Sequence, residues 1–155
     1  MDYAVASTCS WDLIVKRGVT DMTYVISYLV TAVVFLGLDF LWLTGSSKFY
    51  RSRIGELLLD QPNIVAAGAF YIIYLTGVSF FAVMPAVNSG TWSTALLSGA
   101  LLGFVGFGTY DMTNLATIKG WSLEVSMVDM VWGVFITATS ALAGYFSGLA
   151  VQKLI

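Results

Sequence analysis

Three aspartates, Asp39, Asp111 and Asp129, interrupt long apolar runs that contain no lysine or arginine. Placing one carboxylate near the centre of a membrane-spanning helix costs about 2.5 to 3.5 kcal/mol, less near the interface, so three of them call for a shared explanation. Asn114 follows Asp111 by one helical turn, and Tyr71, Tyr74 and Tyr110 bring hydroxyl groups to comparable positions. Carboxylates, an amide and phenols form a hard oxygen-donor set suited to Mg²⁺, Ca²⁺ or Mn²⁺, with Asp39, Asp111 and Asp129 as the metal ligands. The same set can exchange protons or hold the polar head of a lipid. The structural alternative is that each aspartate bonds across helices or to backbone, where such contacts contribute only about 0.6 kcal/mol on average. Lys48, Arg51, Arg53 and Lys119 fall at the mouth of the constellation, together with Glu124, where headgroups would be met. The chain has no histidine and a single cysteine, Cys9. That excludes Ser-His-Asp and Cys-His nucleophiles, haem or metals held by histidine or cysteine, and an internal disulfide.

The elements that must position these residues follow from composition. Of 155 residues, 58% are hydrophobic and only 10% charged, whereas a soluble domain carries about 25% charged residues. A hydrocarbon core needs about 20 apolar residues per spanning helix. Four runs qualify: about 23–44 with Asp39, 64–87 without a charge, 93–116 with Asp111, and 125–151 with Asp129. Pro62-Asn63 marks a helix start, Asn88-Ser-Gly90 a tight turn, and Lys119-Gly120 a break. Connections this short make successive helices neighbours. The expectation is an all-α membrane protein with four transmembrane helices in an antiparallel bundle, which brings the three aspartates to similar depth in one leaflet.

Residues 1–21 read as a polar N-terminal tail and 22–155 as a single four-helix transmembrane domain, with Met22 standing where a shorter chain would start. Ser46 to Gln61 reads as the long loop. Within it, Tyr50, Ile54, Leu57 and Leu58 share one face of a short interfacial helix expected between helices 1 and 2. The cations on the two sides of the membrane number four against three, or four against one from Met22 onward, and the second count turns both termini away from the cytoplasm.

Helix four carries Asp129, Gly133, Thr137, Ser140, Gly144 and Gly148 at three- and four-residue steps, and helix three carries Gly99, Gly103 and Gly106. Both are stripes of the kind that lets helices pack closely. Asp39-Phe-Leu-Trp42 and Asp129-Met-Val-Trp132 share a pattern, yet they run in opposite directions, which argues against a matching role. Trp11, Trp92 and Trp121 read as interfacial anchors. The net charge of −2 and the lack of broad basic clusters argue against nucleic acid.

Several stretches carry a family resemblance: Leu38-Asp-Phe-Leu-Trp42, Phe49-Tyr-Arg-Ser-Arg-Ile-Gly55, Asn63, Phe70-Tyr71, Pro85-Ala86, Gly108 to Trp121, and Asp129-Met-Val-Trp-Gly133. From Tyr24 to about Gly148 the chain resembles the small bacterial integral membrane proteins grouped as domain of unknown function 2177. The resemblance implies a four-helix protein of the bacterial inner membrane and implies no reaction. Asp39, Asp111, Asn114 and Asp129 fall within its motifs. The leading expectation is an inner-membrane protein whose buried acidic cluster binds a cation, a proton or a polar lipid group. The alternatives are an accessory subunit of a larger membrane complex, docked through the glycine stripes, and a metal-assisted lipid-modifying enzyme. The bilayer is the expected partner, with a homo-oligomer or larger complex as the expected assembly.

Overall fold

The computed structural model describes the backbone of residues 3–154 and the side chains of residues 18 and 20–154. The expectations for the side chains of Cys9, Trp11, Lys16 and Arg17 lie outside the described residues. The described elements are α1 (Tyr3–Ile54), a 3-10 turn (Gly55–Leu57), α2 (Ile64–Val78), a π turn (Ser79–Val83), α3 (Met84–Ser89), α4 (Trp92–Thr117) and α5 (Leu123–Leu154). Four stretches are long and apolar enough to cross a membrane: Thr20–Leu57, Ile64–Ser89, Trp92–Thr117 and Leu123–Leu154. Each contains one of the four runs read from the sequence.

Local chemistry sets the ends of these helices. Asn63 caps α2 by accepting a hydrogen bond from the Ala66 N–H at 3.1 Å. Gly90, at φ 67°, ends α3 in the left-handed conformation that glycine adopts without steric cost. Pro85 has no N–H to offer Phe81 and its ring crowds that carbonyl. The chain widens just before it, and the Met84 N–H bonds back to Ser79 across the π turn.

The expected loop from Ser46 begins differently. α1 runs through Gly45, Ser46 and Ser47 to Ile54, and only Gly55–Leu57 forms a separate short turn. The hydroxyls that read as a break instead bond back to the helix. Thr44 Oγ1 donates to Phe40 O at 2.9 Å and Ser46 Oγ to Trp42 O at 2.5 Å, so neither competes for the backbone.

α5 is the central element, packing along α4 and along α1. On the α4 side Gly99 meets Ala138 and Ala141, Gly103 meets Gly133 and Thr137, and Gly108 meets Met130. On the α1 side Thr23 and Ser27 meet Gly148, Ser27 and Thr31 meet Gly144, and Trp42 meets Trp132. A cluster of Val78, Val83, Val87, Ala95, Ala141 and Tyr145 fills one end of the core, and Phe35, Leu75 and Ile136 fill its middle. Large apolar side chains such as Val33, Phe40, Ile73 and Val131 point outward, as lipid-facing positions do. Both glycine stripes are consumed by packing inside the chain.

Candidate functional site

Where α1 ends and α5 begins, the helices leave a cavity of about 640 Å³. Its wall is mostly apolar and aromatic: Trp42, Leu43, Ile54, Leu57, Leu58, Leu59, Pro62, Phe107, Tyr110, Trp121 and Trp132. Asp39 and Asp129 both stand in that wall, with Tyr50 between α1 and α5 and Arg51 and Ser47 completing it. The four residues placed on one face by spacing, Tyr50, Ile54, Leu57 and Leu58, all line this cavity.

Each carboxylate in the wall is tied to a tyrosine from another part of the chain. The Tyr71 hydroxyl of α2 donates to Asp39 Oδ2, and the Tyr50 hydroxyl of α1 donates to Asp129 Oδ1. Tyr50 in turn accepts from Trp42 Nε1 at 2.9 Å. The Trp42 indole stacks on that of Trp132, so the two Asp-x-x-Trp segments meet at the seam of α1 and α5. The two segments, read from the sequence as unlikely to match in role, are neighbours in space. Both aspartates and both indoles line one cavity.

Asp111 is different. It is fully buried, and neither of its carboxylate oxygens has a hydrogen-bond partner of ordinary geometry among the described residues, although the Ser126 hydroxyl lies beside it. Asp111 does not line the cavity, but it lies within electrostatic range of Asp129, as Asp39 does on the other side. Asp129 is thus the aspartate that senses both of the others.

The remaining expected residues separate into three groups. Tyr110 lines the cavity, sets its ring edge-on to Trp121 with centroids 5.6 Å apart, and has Asn114 beside its hydroxyl. Tyr74 is not brought to the site: its hydroxyl pairs with Thr137 Oγ1 at 2.8 Å, inside the seam where its ring also packs on Gly106. Among the cations, Arg51 borders the cavity, while Arg53 pairs with Glu124 and lies 4.0 Å over the Phe49 ring. Lys119 joins Arg51 and Arg53 around a second hollow of about 290 Å³, and Lys48 is exposed and lines neither. Among the described residues no three acidic side chains gather into a group that could hold a metal ion. The expected ligand set of Asp39, Asp111 and Asp129 is therefore not gathered around one point, and one oxygen each of Asp39 and Asp129 already accepts from a phenol.

A family model described as "Predicted membrane protein (DUF2177)" matches residues 24–146. The chain belongs to this family. No curated protein and no solved structure matches it. In this DUF2177 protein the match takes in the whole cavity wall, from Asp39 to Trp132, and leaves residues 1–23 outside. The cavity residues that sequence reasoning passed over are Tyr50, Trp42, Trp132, Phe107 and Trp121. The paired Asp-x-x-Trp pattern was the signal that pointed to two of them. Trp121, expected as an anchor, instead faces the DUF2177 cavity and donates from Nε1 to Ser126 Oγ at 3.0 Å.

Proposed function

We propose that this chain is an integral protein of a bacterial inner membrane whose four spans run antiparallel and whose cavity takes up the polar group of an amphiphile at Asp39 and Asp129. The single observation that carries this reading is a cavity of about 640 Å³ whose mostly apolar and aromatic wall contains two carboxylates. Ligand sites have this composition, an apolar body with a few convergent polar groups, and buried carboxylates are expensive where they do nothing. The antiparallel arrangement is supported by the order of contacts, since rising numbers on α1 and α4 meet falling numbers on α5. In this reading the end of α1 and the 3-10 turn lie among the headgroups. Arg51, Arg53 and Lys119 there meet lipid phosphate, and Leu57, Leu58 and Leu59 border the apolar side of the cavity.

The test is retention of an amphiphile by the purified full chain in mild detergent, read by native mass spectrometry. Ser47 is an exposed wall residue, so Ser47→Trp fills the cavity without touching the carboxylates. The wild type should retain a bound amphiphile that Ser47→Trp loses. Equal retention by both would overturn the reading.

A second reading has its own observation. Because each wall carboxylate already accepts from a tyrosine, Asp39 and Asp129 also serve as ties between α1, α2 and α5. The two roles coexist, since a carboxylate with one bonded oxygen keeps acceptor capacity on the other.

A further inference from the structure

We infer that the polar group received by the cavity is an organic ammonium carried on an apolar body. The inference rests on the cavity reading above and names its ligand class.

The charges in the wall choose the sign. Asp39 and Asp129 contribute two carboxylates, and among the described residues Arg51 is the one cation that lines the cavity. A phosphate or carboxylate head would be brought against like charge in a poorly screened space. The rest of the wall selects among cations. Trp42, Trp121 and Trp132 line the wall, and aromatic rings attract ammonium groups while offering no ligand to a hard metal ion. Among the described residues no three acidic side chains converge as a metal would need. An alkylammonium needs only what the cavity has: a carboxylate as counter-charge, aromatic rings around its methyl or methylene groups, and an apolar wall for its chain.

Two sources carry this chemistry, an aminophospholipid of the surrounding bilayer and a free lipophilic amine. The experiment uses the full chain in nanodiscs of phosphatidylglycerol and titrates decyltrimethylammonium, decanol and decyl sulfate below their micellar range. Tryptophan fluorescence is the readout, with empty nanodiscs as the blank. The cation should bind, and decanol and decyl sulfate should bind about tenfold more weakly or worse. Asp129→Asn should weaken the cation by a similar factor, and Trp42→Phe, which keeps a ring, should weaken it less than Trp42→Leu. Repeating the titration in phosphatidylethanolamine nanodiscs separates the sources. Competition there assigns the site to the lipid headgroup, and undiminished binding assigns it to a free amine; either result upholds the inference. Equal binding of all three probes, abolished by Ser47→Trp, would overturn the ammonium inference and leave the cavity reading standing. Binding of none of them would overturn both. The probe comparison uses the wild-type chain, so a variant that fails to fold does not decide the outcome.

Discussion

Trp42 lies face to face on Trp132, with ring centroids 4.4 Å apart and planes 9° from parallel. The pair joins the ends of two Asp-x-x-Trp segments on different helices, and one partner is also bonded to Tyr50, which holds Asp129. Packing, hydrogen bonding and the acidic wall of the cavity are thereby linked through one contact. Stacked aromatic pairs contribute about 0.5 to 1.5 kcal/mol beyond the area they bury. A double-mutant cycle of Trp42→Leu and Trp132→Leu, measured by unfolding in mild detergent, should therefore return a coupling of about 1 kcal/mol. Additive single effects would show that the indoles do not support each other.

Tyr50 and Tyr71 lead to a sharper contrast. Removing either hydroxyl leaves a buried or half-buried carboxylate without its donor, which costs about 1 to 3 kcal/mol. Tyr50→Phe also removes the acceptor of Trp42 Nε1 and should be the more damaging of the two. Tyr110→Phe changes a ring that is 58% exposed, and it should stay within about 0.5 kcal/mol of the wild type. The three variants compared by thermal unfolding in one detergent check the ranking. A Tyr110→Phe loss as large as that of Tyr50→Phe would contradict it.

How much of this could be read from the sequence depends on which interactions are local. The four spans were legible because length and apolarity act within one segment, and Asp39, Asp111 and Asp129 stood out because a charge in lipid needs a reason. The extension of α1 past Thr44 was not legible. Gly45-Ser46-Ser47 has the composition of a break, yet it is helical, with the Ser46 hydroxyl bonded back to Trp42 O and Tyr50 seated against Asp129. The same limit explains Tyr74, whose depth resembles that of Tyr71 but whose hydroxyl goes to Thr137. Which residue faces which across a seam depends on the register between helices, and no spacing within one helix specifies that. The stacked indoles were hidden for this reason, although their shared pattern was visible.

Arg53 and Glu124 form the ion pair that joins the end of α1 to the start of α5. Their side chains are 34% and 68% exposed, so solvent screens the pair and side-chain ordering offsets part of the attraction. Glu124→Gln should shift stability by no more than about 0.5 kcal/mol, and the shift should vanish in high salt. Arg53 would keep its place over the Phe49 ring. A loss of several degrees in melting temperature that persists in high salt would mean the pair does more than its exposure allows.

Gly103 sets the approach of α4 to α5. A methyl group built there would fall on the carbonyl of Gly133, and it would come within 3.0 Å of Thr137 Oγ1. Backbone cannot swing aside as a side chain can, so Gly103→Ala must push the helices apart along the seam. That would also loosen Phe107, which fills the space above Gly133 and continues into the cavity wall. The loss should reach about 2 kcal/mol or more, in the range of overpacked cores. Gly37 has open space where its methyl would go, and Gly37→Ala should be neutral or gain up to about 1 kcal/mol from helix propensity. Measuring both by unfolding in the same detergent separates close packing from a general intolerance of added methyl groups. Similar losses at the two positions would refute the packing role assigned to Gly103. If Gly103→Ala also weakens amphiphile retention while Gly37→Ala does not, the helix seam and the cavity share one geometry, since Phe107 is the side chain common to both.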